Sequence, residues 1–167
     1  MKQKDIRYWN NIKVVISDFD GVMTDNRVWI DESGKEMVCV NRADGLAVHM
    51  LRQMGVELVI MSTETNGVVA RRAEKLNVAC IQSISDKAKC LKEYCAEHQL
   101  SLQNVAYIGN DINDFGALAL AGIKIVPSDA YEEVRTIADY VTKAMGGQGV
   151  IREVAGILKQ LKSDKGI

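Results

Sequence analysis

Five short apolar runs, each followed by a longer amphipathic stretch, constrain the fold of this chain more than any other feature. The runs cover residues 12–16, 57–61, 77–81, 105–108 and 123–126. Apolar residues on successive positions are typical of strands that are buried on both faces of a parallel sheet. The amphipathic stretches cover residues 43–54, 67–76, 86–98, 113–121 and 150–161. This alternation predicts an α/β fold with a doubly wound, Rossmann-like parallel sheet.

One segment interrupts the alternation. Residues 28–40 carry two short β-prone runs on either side of a turn that contains Gly34. This pattern predicts a β-hairpin flap over about residues 26–40. No linker rich in Pro, Gly or Ser divides the chain, so we expect a single domain over residues 1–167.

Composition excludes several classes of partner. The chain has 167 residues, with 21 Lys and Arg against 22 Asp and Glu, so no strong global field attracts nucleic acid or anionic lipid. No apolar run approaches the ~20 residues that a bilayer span needs. The start of the chain lacks the pattern of a secretory signal, so we expect a cytoplasmic protein. The four cysteines do not follow a metal-binding spacing, which argues against a zinc site.

Two carboxylates directly follow the first predicted strand. Asp18 and Asp20 stand one residue apart, and crowding them would be costly without a cation between them. Hard carboxylate oxygens favour Mg²⁺ as that cation. The alternative is that one aspartate caps a turn or helix.

Three further strand ends carry polar groups. Ser62 and Thr63 follow the second run, and their hydroxyls suit a phosphate oxygen, although Ser62 also suits a helix N-cap. Lys87 stands early in a predicted helix, where the helix dipole prefers anions, so an anionic partner would explain it. Asn110 and Asp111 begin a cluster of oxygen ligands whose alternative is an Asx-rich turn. Ligands gather at the carboxyl ends of parallel strands, so we expect these groups in one site.

The four segments together resemble the motifs of the haloacid dehalogenase superfamily of phosphotransferases. The resemblance runs over about residues 12–153, and the segment DFDGVMTD is very similar to the family's first motif. It implies that Asp18 is the nucleophile that forms an aspartyl-phosphate, and that Asp20 is the general acid and base. It also implies that Ser62, Thr63 and Lys87 hold the phosphoryl oxygens.

The fourth motif departs from the family pattern. The family usually has Gly-Asp where this chain has Gly109-Asn110. The resemblance implies a Mg²⁺ site formed by Asp18, Asp20 and either Asn110 or Asp111. An amide oxygen in place of a carboxylate would lower the affinity for the metal.

Motif spacing indicates a member without a cap domain. Only the hairpin and one helix fit between Asp18 and Ser62, and only one helix and one strand fit between Ser62 and Lys87. An open site needs a large substrate or a neighbouring subunit as its lid. The segments 41–45 and 140–149 are similar to the tetrameric phosphatases of ulosonic acid phosphates.

That resemblance implies a substrate and an assembly. We expect a phosphatase of 2-keto-3-deoxy sugar acid phosphates, with a nine-carbon sialic-acid-type 9-phosphate preferred over 3-deoxy-manno-octulosonate 8-phosphate. Glu64, Arg72 and Lys75 resemble the nine-carbon branch, and with Asp44 they are the expected substrate-binding residues. The alternative for the basic residues is a solvated helix face. We also expect a homotetramer with shared active sites, in which the glycine-rich segment 146–149 reaches a neighbour's site.

Two other classes of function compete with this reading. One is a non-catalytic assembly subunit for a sialic acid cytidylyltransferase partner, since some of those enzymes carry a similar fused domain. The other is a receiver-like phosphoacceptor. The combination of Asp18, Asp20 and Lys87 argues against both, because a scaffold has no physical need for it and a resident acid/base favours turnover.

Overall fold

The computed structural model describes residues 6–163 and consists of a parallel sheet between two layers of helices. The strands are β1 (Val14–Ser17), β2 (Trp29–Ile30), β3 (Glu36–Met37), β4 (Glu57–Met61), β5 (Ala79–Ile81), β6 (Val105–Ile108), β7 (Ile123–Val126) and β8 (Tyr140–Val141). The helices are α1 (Ile6–Asn10), α2 (Ala43–Gln53), α3 (Val68–Leu76), α4 (Lys87–Glu97), α5 (Phe115–Leu120), α6 (Glu132–Arg135) and α7 (Val150–Ser163). Two 3₁₀ turns, Leu102–Asn104 and Ile112–Asp114, precede β6 and α5.

The main sheet has the order β5-β4-β1-β6-β7-β8, with every neighbouring pair parallel. The chain therefore leaves the central strand β1 towards β4 and β5, and later returns to the other side of β1 to build β6, β7 and β8. This reversal is the doubly wound topology, and it confirms the predicted fold class. Ligands bind in such sheets near the carboxyl ends of the strands that flank the reversal.

Alternating side chains of the strands pack into two apolar layers. Val15 faces the core shared with α2 and α7, whereas Val14 and Ile16 face the core shared with α4 and α5. Both faces of β1 are fully buried, as its uninterrupted apolar run predicts. The site at its carboxyl end therefore follows a strand that is buried on both faces.

All five predicted strands form, with small shifts at their ends. β5 begins at Ala79 and not at residue 77, because Asn77 adopts the left-handed conformation that ends α3 (φ 53°). β8 was not predicted: it has only two residues, and pairing with β7 defines it. The predicted helix over residues 113–121 is divided into a 3₁₀ turn and α5, because Asp111 and Asp114 cap the turn.

The predicted hairpin forms as a separate two-stranded ribbon. Trp29 pairs with Met37 and Ile30 with Glu36, and the Asp31 carboxylate accepts hydrogen bonds within the turn. The hairpin and α2 are the elements between β1 and β4, while α3 and β5 are those between β4 and α4. The described chain therefore has no room for a cap domain at either position.

The glycine-rich segment contacts the start of its own chain's active-site loop. Gly146 and Gly147 pack against the loop after β1 of their own chain, where added Cβ atoms would lie 2.4 Å from the Gly21 carbonyl oxygen and 2.8 Å from the Asp25 nitrogen. Close approach to this loop requires glycine at both positions, and a contact of the segment with a neighbouring subunit's site stays a prediction.

No helix within residues 6–163 combines the length and apolar character needed to cross a membrane.

Candidate active site

Three neighbouring strands deliver polar residues to one cleft. Asp18 follows β1, Ser62 follows β4 and Asn110 lies two residues after β6. The pairings Ser17 with Ile60 and Ser17 with Ile108 align the three strand ends at the same edge of the sheet. The cleft has a volume of about 230 Å³ and is lined by Asp18, Asp20, Asn26, Ser62, Thr63, Asn110, Asp111, Ile112 and Asn113.

A buried lysine joins two aspartates behind this cleft. The Lys87 Nζ lies 2.6 Å from the Asp18 Oδ2 and 2.6 Å from the Asp114 Oδ1, with the lysine side chain fully buried. Asp86 caps α4 by accepting a hydrogen bond from the Lys89 nitrogen, which starts the helix so that Lys87 is its first residue. The anionic partner expected for this lysine is thus a pair of carboxylates.

Asp114 holds the cluster together and was not among the predicted site residues. Its Oδ1 also accepts a hydrogen bond from the Tyr107 hydroxyl at 3.0 Å, and its Oδ2 accepts one from the Asn110 nitrogen at 2.9 Å. Burial, followed by the charges of Asp114 and Asp18, raises the pKa of Tyr107 well above its usual value, so the hydroxyl stays a donor. Asp114 could have been predicted from its position in the acidic fourth segment. Tyr107 could not, because it lies inside an apolar strand run, where a tyrosine is typical of the core.

The positive charge of Lys87 does not fully offset the burial and the negative charges of Asp18 and Asp114. Burial, together with the Asp114 charge, raises the pKa of Asp18 to about 8, although Lys87 lowers it. The pKa of Lys87 itself is raised, because the charges of Asp18 and Asp114 outweigh the effect of burial. A charged Asp18 therefore needs further positive charge on its cleft side.

Asp20 lies at the mouth of the cleft with one oxygen held in place. The buried Thr24 hydroxyl donates a hydrogen bond to the Asp20 Oδ1 at 3.2 Å and accepts one from the Gly21 nitrogen. Burial raises the pKa of Asp20, which favours the protonated carboxyl group that a general acid needs. Thr24 belongs to the first motif, but nothing in the sequence pattern predicts this contact.

Ser62 does not cap the following helix. Its hydroxyl accepts a hydrogen bond from the Glu64 nitrogen at 3.1 Å, whereas α3 begins at Val68 after Gly67. The side chain is buried and lines the cleft, so its hydroxyl proton can still be donated to an oxygen of a ligand. Thr63 lies beside it and is exposed.

The oxygen donors of the cleft fit a hard divalent cation. Within residues 6–163 no three His, Cys, Asp or Glu side chains form a metal cluster, so amide and carbonyl oxygens must contribute. The Asn110 amide makes no hydrogen bond to the described residues and packs against Gly21, where an added Cβ would lie 2.0 Å from its nitrogen. Asp111 caps the next turn through the Ile112 nitrogen and also lines the cleft. Mg²⁺ takes one or two carboxylates and keeps several waters, which this donor set permits.

A second cavity adjoins the cleft below the hairpin. It has a volume of about 240 Å³, shares Asp20 and Asn26 with the cleft, and is also lined by Arg27, Val28, Glu36, Val38, Glu64, Asn66 and Val68. The Asn66 amide donates a hydrogen bond to the Glu36 carboxylate and ties the hairpin to the loop after β4. Glu64 faces this cavity, but its Oε1 accepts hydrogen bonds from the nitrogens of Thr65 and Asn66.

Three predicted substrate-binding residues lie outside both cavities. Arg72 donates hydrogen bonds to the Asn41 carbonyl oxygen at 2.6 Å and to the Asp44 carboxylate at 3.4 Å, and both side chains are nearly fully buried. Lys75 is exposed near the end of α3. Within this chain, Arg72 and Asp44 therefore join α3 to α2 and do not contact the cleft, because the helix turns them towards the neighbouring helix.

A family model described as haloacid dehalogenase-like hydrolase matches residues 71–154. The 3-deoxy-D-manno-octulosonate 8-phosphate phosphatase of Yersinia pestis is 32% identical over 149 residues, which are 89% of this chain and 80% of the relative.

Two solved structures are also similar. A HAD family hydrolase from Streptomyces avermitilis has 42% identity and a TM-score of 0.86, over 92% of this chain and 89% of the other. A 3-deoxy-D-manno-octulosonate 8-phosphate phosphatase from Moraxella catarrhalis has 30% identity and a TM-score of 0.91, over 95% and 92%. That structure contains a magnesium ion, a phosphate ion and a KDO molecule.

These matches confirm the family to which the four strand-end motifs pointed. The family model covers half of the chain, and the Yersinia relative aligns with nearly all of it. The chain therefore belongs to the haloacid dehalogenase-like hydrolase family.

Proposed function

We propose that this protein is a Mg²⁺-dependent phosphatase of a 2-keto-3-deoxy sugar acid phosphate. The observation that carries the proposal is the buried Asp18–Lys87–Asp114 cluster. Of its two aspartates, Asp18 lines the cleft at the point where the strand order reverses. An aspartate supported from behind by a lysine is suited to attack a phosphoryl group and to bear a covalent phosphate.

Four residues of the site have separate roles in this reaction. Asp18 attacks phosphorus and forms the aspartyl-phosphate, while the Asp20 carboxyl, oriented by Thr24, donates its proton to the leaving alcohol. Asp20 then takes a proton from the water that releases phosphate. Ser62 and Lys87 bind phosphoryl oxygens and offset the charge that develops on them.

Asp18, the Asp20 carbonyl and the amide of Asn110, or the carboxylate of Asp111, would hold the metal ion. When bound, Mg²⁺ supplies the additional positive charge that a buried, ionised Asp18 needs. The magnesium ion in the structure of the Moraxella relative supports Mg²⁺ as the metal.

The named relatives change the order of the two candidate substrates. The sequence favours a nine-carbon sugar acid phosphate, but the Yersinia and Moraxella proteins are both named for 3-deoxy-D-manno-octulosonate 8-phosphate. Glu64 is one of the three residues that motivated the nine-carbon choice, with Arg72 and Lys75, and one of its carboxylate oxygens accepts hydrogen bonds from its own loop. The eight-carbon substrate is therefore the first candidate and the nine-carbon substrate the second.

The open cleft also motivates the homotetramer expected from the family resemblance. The second cavity lies under the hairpin, whose apolar side chains are exposed, so a neighbouring subunit packed there would close the substrate site. A cytidylyltransferase partner remains only a prediction from the resemblance.

Phosphate release from a panel of sugar phosphates tests the proposal. We expect Mg²⁺-dependent release from 3-deoxy-D-manno-octulosonate 8-phosphate, with a kcat/KM higher than for the nine-carbon 9-phosphate, and loss of release after treatment with chelator. The reverse order would restore the nine-carbon assignment. Absence of release from every phosphate monoester would contradict a phosphatase.

A further inference from the structure

Two segments that the sequence analysis singled out meet in a single hydrogen bond. The Asn41 Nδ2 donates to the Gly147 carbonyl oxygen at 3.0 Å, although the two residues are 106 positions apart. The other end of the same amide is also occupied, since the Asn41 Oδ1 accepts a hydrogen bond from the Ala43 nitrogen at 2.9 Å. The amide is therefore held in one orientation by both of its ends.

The turn at Gly146–Gly147 lies directly on the loop after β1. The Gly147 nitrogen donates a hydrogen bond to the Val22 carbonyl oxygen at 3.0 Å. An added Cβ at Gly146 would lie 2.4 Å from the Gly21 carbonyl oxygen and 2.9 Å from the Thr24 carbonyl oxygen. A displacement of this turn would thus move backbone that it touches on both sides of Val22.

The same loop orients Asp20. The Thr24 hydroxyl is fully buried, donates to the Asp20 Oδ1, and accepts hydrogen bonds from the nitrogens of Gly21 and Asn26, all at 3.2 Å. Its position depends on the path of residues 21–26, which the turn covers. Contacts therefore run without interruption from the Asn41 amide, through the turn and the loop, to the Asp20 carboxyl.

Asn41 is itself held from the opposite side. Its carbonyl oxygen accepts a hydrogen bond from the Arg72 guanidinium at 2.6 Å, and Arg72 also pairs with the buried Asp44 at 3.4 Å. The Arg72 Nε is buried without a hydrogen-bond partner among the described residues. A buried guanidinium left with an unpaired donor is costly, so the contact with Asn41 must offset part of that cost.

We infer that Asn41 is a positioning residue for Asp20: it holds the Gly146–Gly147 turn on the loop whose Thr24 orients the Asp20 carboxyl. The inference rests on the proposed function, because it assumes that Asp20 is the proton donor to the leaving alcohol. It assigns a role to the segment 41–45 in which no residue of that segment contacts the substrate.

Leaving groups of different basicity separate this role from general stabilisation. A sugar alkoxide is a poor leaving group and needs a proton from Asp20, whereas nitrophenolate leaves without one. For an enzyme that forms an aspartyl-phosphate, kcat/KM reports the step in which the alcohol departs. Misplacing Asp20 should therefore lower kcat/KM for a sugar phosphate much more than for nitrophenyl phosphate.

Asn41→Asp is the main variant. It keeps the acceptor for the Ala43 nitrogen but replaces the donor to Gly147 with an oxygen that repels the carbonyl. We expect kcat/KM for a sugar phosphate to fall about 10- to 100-fold, and for nitrophenyl phosphate less than about threefold. Asn41→Ser is the second variant, because its short hydroxyl can still accept from the Ala43 nitrogen at the start of α2 but cannot reach Gly147. It should show the same ratio if Asn41→Asp folds poorly.

Asn104→Asp is the matched control. The Asn104 Nδ2 donates to the Asn11 carbonyl oxygen at 2.9 Å across 93 positions, and its Oδ1 accepts from the Ser101 nitrogen. Asn104 directly precedes β6 and therefore lies at the amino edge of the sheet, away from Asp20. This variant should keep the wild-type ratio of kcat/KM between the two substrates, whatever it does to stability.

The outcomes separate the inference from the proposed function. Wild-type enzyme that releases phosphate from any alkyl phosphate allows the ratio to be measured, even when sugar acid phosphates are not its substrates. The positioning role would be overturned if both Asn41 variants kept the wild-type ratio of kcat/KM between the sugar phosphate and nitrophenyl phosphate. An equal loss of kcat/KM on the two substrates is one form of that result. A wild-type enzyme that hydrolyses neither ester would overturn the inference together with the phosphatase proposal.

Discussion

At the scale of single residues, the site is a problem of charge compensation. Asp18 and Asp114 share one lysine, and burial raises the pKa of Asp18 to about 8 even with that lysine beside it. Two buried carboxylates with one cation are stable only while every oxygen has a donor or a positive neighbour. Tyr107 and the Asn110 nitrogen supply donors to Asp114, which leaves the cleft side of Asp18 for chemistry.

Asp18→Asn tests the covalent role directly. An amide is a poor nucleophile, so we expect phosphate release to fall at least about 10³-fold with an unchanged far-ultraviolet circular dichroism spectrum. Turnover near that of the wild type would contradict an aspartyl-phosphate on Asp18. Mass spectrometry of acid-quenched wild-type enzyme should show a phosphate adduct that the variant lacks.

Lys87→Met tests the lysine as a structural as well as a catalytic group. Removing it leaves the buried Asp18 and Asp114 side chains without the cation that contacts both, so we expect the free energy of unfolding at pH 7 to fall by about 3 kcal/mol and activity to be lost. The double variant Lys87→Met/Asp114→Asn should regain part of the stability but no activity. Urea denaturation without metal measures both, and an unchanged stability in Lys87→Met would show that the pair contributes little.

At the scale of elements, two residues that the sequence suggested for substrate binding form a contact between helices in the described chain. Arg72 on α3 and Asp44 on α2 form a nearly buried pair that joins the two helices. Sequence spacing placed Arg72 on a helix face, but it could not say whether that face meets solvent, a ligand or α2. The pairing depends on how the two helices pack, which is a property of the folded chain.

The pH dependence of stability should report this pair. Burial raises the pKa of Asp44 from 3.8 to about 6, although Arg72 lowers it. The folded chain then binds a proton more tightly than the unfolded chain, so this contribution to stability is present below pH 3.8 and is lost as the pH rises through 6.

Asp44→Asn removes this titration and serves as the reference. We expect the free energy of unfolding of the wild type, minus that of the variant, to decrease by about 2–3 kcal/mol between pH 4 and pH 7. Urea denaturation at a series of pH values gives both curves. A difference that does not change with pH, or that grows as the pH rises, would show that the pKa of Asp44 is not raised in the folded state.

At the scale of the whole molecule, the hairpin is the element least explained by a single chain. Trp29 is 72% exposed, Ile30 63% and Met37 54%, on a ribbon of only two residues per strand. A two-stranded ribbon is marginal in water without a surface to pack on. We therefore expect hairpins from several subunits to pack together, which removes their unpaired edges.

Sedimentation velocity tests this assembly. We expect a species of four times 18.5 kDa for the wild type. Trp29→Lys should yield smaller species and lower turnover of the sugar phosphate, because the neighbour then no longer closes the cleft. Leu46→Lys, which alters an exposed apolar residue on α2, should leave the mass unchanged. A wild-type monomer with full activity at assay dilution would refute the shared site.

The sequence by itself determined the order of strands and helices along the chain and the identity of the reactive groups. Strands that are buried on both faces of a parallel sheet need uninterrupted apolar runs, whereas polar side chains can be solvated or bind ligands at the strand ends. The local pattern alone therefore places five polar residues at one edge of the sheet: Asp18, Asp20, Ser62, Lys87 and Asn110. Tertiary structure alone decided which partner each group meets. In the sequence, Tyr107 has the pattern of a core residue and Asp114 is one of several aspartates near a turn, but the two form a hydrogen bond. Asn41 and Gly147 are far apart in the sequence, but they also form a hydrogen bond. Their contacts span from 7 to 106 residues and depend on how helices and loops pack over the sheet, and local sequence carries no record of that packing.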